Sequence, residues 1–331
     1  MIQPCGGVAT VARGYRASLL GQDARGEWEA LWRRSPGHLG LNWAWADCAA
    51  RDVGRPVRVG VRGENGDLLA GLTFVERRHR LELRWMNTAP APFAGLLAER
   101  NPSESFLRDV LKAAALAVPD AVSRAEVILP AETPDARGLV WQGWRATPHY
   151  NYVSEIGAPE ALEQSAESAA RRQIRKAREA GLTVEWGRGQ LPAIIALWEK
   201  TRERQGLPHF VAPACYEALL DLDEPGLSAE AALVRAPSGE PVAGGVFAGD
   251  AGRVYYLLGA SAPDSDEGSG GPSLLHAAVT EHFFRQRGAP FLYDWVGANT
   301  ESVAQFKKKF RPRLETCIKV VRLKGFARLR G

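Results

Sequence analysis

Phe291-Leu-Tyr-Asp-Trp-Val-Gly297, then Glu301-Ser-Val-Ala-Gln-Phe-Lys-Lys-Lys-Phe310, then Leu314-Glu-Thr-Cys-Ile-Lys-Val-Val-Arg-Leu323, reads as strand, short helix, strand. The same order occurs once before. There a strand over Ala125 to Leu129 precedes the short segment Leu139-Val-Trp-Gln-Gly-Trp-Arg145 and a further strand. A chain that repeats its own layout over this distance is built from two related domains.

The match extends upstream. Val57-Arg-Val-Gly-Val-Arg62 and Leu68 to Val75 flank Gly63-Glu-Asn-Gly66, and Ala231-Ala-Leu-Val-Arg235 and Pro241 to Ala248 flank Pro237-Ser-Gly239. Asn-Gly and Ser-Gly between alternating apolar runs are hairpin chemistry, because Gly takes positive φ without strain. Each hairpin is followed by a third strand (Arg80 to Met86; Arg253 to Gly259), a Pro/Gly-rich loop and an apolar helix (Ser105 to Ala117; Ser273 to Arg287). The expectation is a mixed α/β (α+β) protein of two tandem domains, residues 1–156 and 157–331, each a central mixed sheet flanked by helices. A length of 331 residues suits two cores, at about 150 residues per domain.

With 45% hydrophobic and 24% charged residues the composition is that of an ordinary soluble protein, and only the polar loop Asp264 to Gly271 is expected to be disordered. No apolar run reaches the ~18 residues of a membrane span, and Met1-Ile-Gln-Pro-Cys-Gly-Gly lacks a signal-peptide layout. The expected location is cytoplasmic. Cys5, Cys48, Cys215 and Cys317 have no C-x-x-C spacing and the His residues are dispersed, so no metal site is expected.

Net charge is +4, but the segment from Lys307 to Arg330 carries Glu315 as its sole acid and will attract anions. A second basic cluster lies on a helix predicted over Glu160 to Ala180. Arg171, Arg175 and Arg178 share one face at i, i+4, i+7, opposite Ala170, Ile174 and Ala177, and Gly181 stops the helix. This face is either solvated or a contact surface for phosphate groups.

The order of elements in both halves is similar to that of the GNAT superfamily of N-acetyltransferases. The tandem pair resembles the FemABX-like peptidoglycan-bridge aminoacyltransferases. The resemblance is carried by Ala169-Ala-Arg-Arg-Gln-Ile-Arg-Lys-Ala-Arg-Glu-Ala-Gly-Leu182, by Tyr255-Tyr-Leu-Leu-Gly-Ala-Ser261, by Tyr293-Asp294 with Gly297, and by Phe306-Lys307 with Phe310. In the first half Asn87-Thr-Ala-Pro-Ala-Pro-Phe-Ala-Gly-Leu96 looks like the family's Pro-Phe-x-Gly-Gly segment. Together these cover most of the chain beyond Gly40.

The resemblance implies a donor bound where two strands splay apart, with its pyrophosphate at the next helix N-terminus. The family's phosphate loop, Arg/Gln-x-x-Gly-x-Gly, would correspond to Ser265-Asp-Glu-Gly-Ser-Gly-Gly-Pro272, which assigns cofactor contacts to Gly268, Gly270 and Gly271. Asp264, Asp266 and Glu267 oppose a pyrophosphate there, and a solvated loop is the other reading. By the same resemblance Lys307 contacts the donor or steadies the developing oxyanion, with Phe306 as its cation-π partner. A solvated Lys-Lys-Lys run is the alternative. The first half has Val140-Trp141 at the matching place, so the catalytic centre is expected in 157–331 alone.

Asp294, at the end of an apolar strand, either orients Lys307 or the acceptor amine, or caps the following loop at Asn299. Of Tyr255 and Tyr256, which alternate along a strand, one faces the cleft. Arg204, in the polar stretch Thr201 to Phe210, would hold an acceptor phosphate or carboxylate or simply sit at a helix C-terminus, and Arg171 and Arg175 are the further substrate-binding candidates.

The expected function is a Fem-like N-acyltransferase, an enzyme moving an acyl or aminoacyl group to an amine. No tightly bound cofactor is expected; acyl-CoA or aminoacyl-tRNA is the co-substrate. Partners are a small-molecule or cell-wall-precursor amine acceptor as in peptidoglycan synthesis, with tRNA admitted, DNA not, and no transmembrane segment, a peripheral membrane contact being admitted. The first domain is expected to be non-catalytic and to wall the acceptor side. The reading from another class is a catalytically silent RNA-binding or regulatory module that kept the fold.

Overall fold

The computed structural model describes residues 10–12, 14–79, 82–87, 90, 93–204, 206, 213–262 and 270–325. It forms two compact units, Met1–His149 with Thr316–Gly331, and Tyr150–Glu315.

In the first unit β1 (Thr10–Ala12) and β2 (Tyr15–Leu19) are followed by α1 (Arg25–Arg34) and α2 (Trp43–Ala49). The predicted hairpin is β3 (Arg55–Arg62) with β4 (Leu68–His79), turning at Gly66 with φ +88°. β5 (Glu82–Met86) and β6 (Leu96–Ala98) both pair antiparallel with β4, at different heights along it. α3 (Glu104–Leu116) starts at Ser103, whose side chain accepts from Phe106 N, and buries Leu107, Val110, Leu111 and Ala114 at helical spacing. β7 (Val122–Leu129) pairs in parallel with β5, and α4 (Arg137–Val140) follows. Phe74, Trp85, Val110, Leu111 and Val127 are among the residues of this unit's core.

The second unit begins within β8 (Arg145–Ile156), from Tyr150 on. Next come α5 (Ala161–Ser165), α6 (Ser168–Glu179), β9 (Thr183–Trp186), α7 (Leu191–Arg204) and α8 (Pro213–Leu220). The second hairpin, β10 (Ser228–Arg235) and β11 (Pro241–Gly249), turns at Gly239 with φ +87°. β12 (Arg253–Ser261), α9 (Gly271–Arg287), β13 (Phe291–Asp294) and α10 (Glu301–Lys308) complete it. Strand order within this unit is β8-β13-β12-β11-β10-β9. The last strand of the chain, β14 (Arg313–Leu323), pairs antiparallel with β7 from Ile318 opposite Leu129 to Leu323 opposite Arg124.

The internal repeat is geometric as well as sequential. Both hairpins shift register just before their turn, at Val61/Arg62 and at Val234/Arg235. In each unit the third strand then meets the next one in parallel over a few residues, Leu83 to Trp85 on β5 and Arg253 to Tyr255 on β12.

Two details differ from the sequence expectation. The units part at 149/150 rather than at Gly157, and each half's last strand belongs with the other half: β8 pairs with β13, and β14 with β7. The helix expected over Glu160 to Ala180 is two helices, because Ala166 and Glu167 are extended between them and the Arg171 guanidinium bonds the Gln164 and Ala166 carbonyls that the break exposes.

Candidate active site

β12 leaves β13 early. Parallel pairing ends at Tyr255 opposite Asp294, whereas β12 continues to Ser261, paired among the described residues with β11 alone. Leu257 is an extra residue on β12, lying between Tyr256 (opposite Phe247) and Leu258 (opposite Val246), and such a bulge bends a strand and sharpens its twist. A cleft of about 380 Å³ fills the opening, lined among others by Gln173, Tyr256, Gly259, Ser273, His276 and Lys307.

The N-terminus of the 17-residue α9 borders this cleft. Gly270 takes φ +88°, and a Cβ there would lie 2.3 Å from the Gln173 carbonyl oxygen. Glycine is therefore what lets α9 start against α6. Gly271 is packed on Val242, where a Cβ would come within 2.4 Å. Ser273 Oγ donates to Gln173 Oε1 at 3.0 Å, which fixes the Gln173 side chain across the mouth of the helix.

Tyr256 forms an aromatic floor. Its ring stacks on Phe247 at 5.3 Å and meets the His276 ring edge-on at 4.6 Å. The ring lies over Gly259: a Cβ at that position would sit 1.4 Å from the Tyr256 hydroxyl oxygen. Burial holds the phenol well above its usual pKa, so it stays protonated.

Lys307 is 4% exposed, and its Nζ donates to the carbonyl oxygens of Trp295, of Val296 at 3.2 Å and of Gly297 at 2.7 Å. These three carbonyls converge because Val296 and Gly297 both have positive φ, +51° and +87°. A β-branched residue at positive φ is strained and persists only where its surroundings enforce it. Here Asp294 Oδ1 accepts from Val296 N at 2.9 Å and Asn151 Oδ1 accepts from Gly297 N at 2.8 Å. Asn151 Nδ2 in turn donates to both Asp294 oxygens, and Arg253 pairs with Asp294 at 3.0 Å and with Glu315 at 3.1 Å. Burial lowers the Lys307 pKa to about 8, against the pull of the Asp294 charge. Burial likewise raises the Asp294 carboxyl, with Arg253 opposing.

His276, one turn into α9, is enclosed by the rings of Tyr256, Tyr293, Trp295, Phe306 and Phe310. Its Nδ1 lies 2.7 Å from the Tyr293 hydroxyl. Burial first, then the nearby Lys307 charge, lower its pKa to about 3, so the ring is neutral.

Residues 164–308 match the model of the acetyltransferase (GNAT) domain. Among solved structures the chain is similar to FemX (15% identity, 93% of this chain and 97% of that one, TM-score 0.66). It is also similar to the C-terminal domain of a putative lysylphosphatidylglycerol synthetase from Agrobacterium fabrum (13%, 93% and 94%, 0.58). A tandem GNAT protein from the clavulanic acid biosynthesis pathway matches over 94% and 99% of the two chains at 10% identity and TM-score 0.56. No curated protein matches the sequence significantly. The second half of this chain thus matches a GNAT acetyltransferase domain, and the fold is FemABX-like.

Within the GNAT domain the structure brings Lys307, Phe306, Tyr256 and Gly270 to one cleft. Phe306 is not the ring beside the Lys307 ammonium as expected: Tyr256 takes that place at 5.8 Å, and the cation at the Phe306 ring is Lys309, at 5.9 Å. The reason is that Lys307 turns inward to the carbonyl cage while Phe306 faces the aromatic cluster. Tyr255 points away from the cleft, fully buried, with its hydroxyl donating to Asp250 at 2.6 Å. Asp294 is also fully buried and does not line the cleft; it bonds the turn whose carbonyls hold Lys307.

The Arg face of α6 is turned elsewhere. Arg171 bonds backbone carbonyls, Arg175 pairs with Glu179 at 3.6 Å, and Arg178 pairs with Glu163 at 2.8 Å. The residue of α6 that reaches the cleft is Gln173. Arg204 is exposed at the end of α7, with its guanidinium 3.4 Å from the Ser261 carbonyl oxygen at the cleft rim. Gly268 lies outside the described residues, as do the acids of its loop. The reading of single residues missed Gln173 and His276. A lone His on an apolar helix reads as core, and the available signal was its position one turn after Gly-Gly-Pro.

The opening is closed in the first unit. Asn87 Oδ1 accepts from Ala94 N at 2.9 Å and Ile128 N at 3.3 Å, and β6 occupies the edge of β4 beyond β5. A Cβ at Gly95 would come within 2.9 Å of the Ile128 carbonyl oxygen, so the chain at Gly95 is packed down on β7. Among the described residues no helix is long and apolar enough to cross a membrane, and no cluster of His, Cys, Asp and Glu could hold a metal ion.

Proposed function

We propose that the protein is a Fem-like N-acyltransferase that transfers an acyl or aminoacyl group, from acyl-CoA or aminoacyl-tRNA, to the amine of a small molecule or cell-wall precursor. One observation supports this above the others: Lys307 is held beside the cleft that opens where β12 leaves β13, at the N-terminus of α9. Helix N-termini favour the phosphates that both donors carry. With its three N–H groups committed to three carbonyls, Lys307 is kept as an ammonium whose charge steadies the oxyanion formed when the amine adds to the donor carbonyl. Asp294, Asn151 and Arg253 are positioning residues that hold the carbonyl cage. The first unit, whose own opening is closed, is assigned the non-catalytic, acceptor-side role.

The test is steady-state turnover with acetyl-CoA and with charged tRNA at several salt concentrations. Saturable product formation that drops about 10²–10³-fold in Lys307→Ala is expected. Salt-sensitive tRNA association without product, unchanged in that variant, would instead identify a silent RNA-binding module.

A further inference from the structure

Lys307 leaves a chemical gap. A transition state for acyl transfer needs a hydrogen-bond donor aimed at the carbonyl oxygen, and the three N–H groups of Lys307 already have acceptors in the protein. From the geometry of the His276–Tyr293 pair we infer that His276 is a catalytic residue, donating a hydrogen bond from Nε2–H to the donor's carbonyl oxygen as it becomes an oxyanion. This rests on the transferase reading above.

The tautomer follows from Tyr293. Its side chain is fully buried, and burial keeps the phenol protonated. Among the described residues its hydroxyl has one hydrogen-bond partner, His276 Nδ1 at 2.7 Å. A buried hydroxyl donates to the acceptor it has. Nδ1 is then the acceptor, and the ring proton of neutral His276 sits on Nε2. Among the described residues Nε2 has no protein partner, yet His276 lines the cleft. A donor of this kind inside a nearly closed aromatic cage is a group awaiting a ligand acceptor.

Neutrality is part of the function. Burial and the Lys307 charge oppose protonation, so the imidazole gains no second proton and acts as a neutral N–H donor. The acceptor nitrogen forms the new C–N bond while the carbonyl π pair moves onto oxygen. Collapse of that intermediate restores C=O and breaks the C–S or C–O bond to the leaving group, which takes up the proton that the amine releases, directly or through solvent. His276 donates a hydrogen bond throughout and undergoes no net change.

Two measurements test the assignment. Long-range ¹H–¹⁵N correlation spectra of the full chain with ¹⁵N-labelled histidine should show His276 neutral at pH 7, with the proton on Nε2. Kinetics should show His276→Phe, which fills the cage without a donor, losing about 10²–10³-fold in kcat with KM for the donor nearly unchanged. His276→Gln, which keeps an N–H near the Nε2 position, should stay within about tenfold of wild type, less than one lost hydrogen-bond donor costs. A proton on Nδ1, a charged ring at pH 7, or wild-type turnover by a folded His276→Phe would each overturn the role of His276 while leaving the transferase reading intact. No wild-type turnover with either donor would overturn the transferase reading and this inference together.

Discussion

At the scale of single residues, Lys307 and Gly259 make the sharpest predictions. Because the folded pKa of Lys307 is about 8 against 10.5 for a free lysine, the unfolded chain binds the extra proton between these two values. Stability from this group therefore rises with pH across that window, and its burial weighs fully against folding below it. Denaturant midpoints from pH 7 to 10.5 should climb in wild type and flatten in Lys307→Met. If the ammonium is the active form, kcat should fall as pH rises through about 8, with the fall shifted upward in Lys307→Arg. A rise through that pH would mark Lys307 as a base instead. Gly259→Ala collides with the Tyr256 hydroxyl at 1.4 Å, so the ring must swing off the cleft floor. Donor KM should rise about tenfold or more, since misplacing one wall of a site is costly, and a variant with wild-type KM would remove Tyr256 from the donor site. The place of Lys307 at the cleft was legible because the two halves could be compared, Phe306-Lys307 against Val140-Trp141. His276 was not, since the role proposed for it depends on a hydroxyl from another element.

At the scale of elements, the site depends on how β13 ends. Asp294, Asn151, Arg253 and Glu315 come from four separate strands and brace one strained turn, 295–297. Removing one member of a buried ion pair typically costs about 3–5 kcal/mol, because the partner charge is left uncompensated. Asp294→Ala should destabilise the second unit on that order, measured by urea unfolding, and lower kcat although Asp294 touches no substrate. Asn151→Ala should be non-additive with it in a double-mutant cycle, as both act on the same turn. Additive effects would separate the turn from the site. Sequence reading placed Asp294 at a strand end but left its partner open, because Arg253 lies 41 residues away and such pairings carry no local signal. The hairpins were legible for the opposite reason. Gly66 and Gly239 adopt the positive φ that their turns require, and that demand is written in neighbouring residues.

At the scale of the whole molecule, the repeat predicted two similar units but misassigned their last strands. Β-strand grammar records that a segment is extended and which face is apolar; it does not record the neighbour, which is set by long-range pairing. Thus β8 and β14 both read correctly as closing strands, while pairing shows β8 with β13 and β14 with β7. A cut at 156/157, the natural one from sequence, would deprive residues 1–156 of β14, including the fully buried Cys317 and Val320. It would also deprive residues 157–331 of the β8 segment that carries Val153, Ile156 and Asn151. Each fragment would expose the edge of a strand that is internal in the intact unit, β7 or β13, and would lose apolar burial worth several kcal/mol, at ~25 cal/mol per Å². Expressed separately, 1–156 and 157–331 should therefore show no cooperative thermal transition and should bind a hydrophobic dye. A chain with residues 316–331 fused ahead of the first unit through a flexible linker should keep β14 available to β7 and recover cooperative unfolding of that unit. Cooperative folding of either simple fragment would show that the exchanged strands are dispensable, and that the boundary read from the repeat is the one the protein uses.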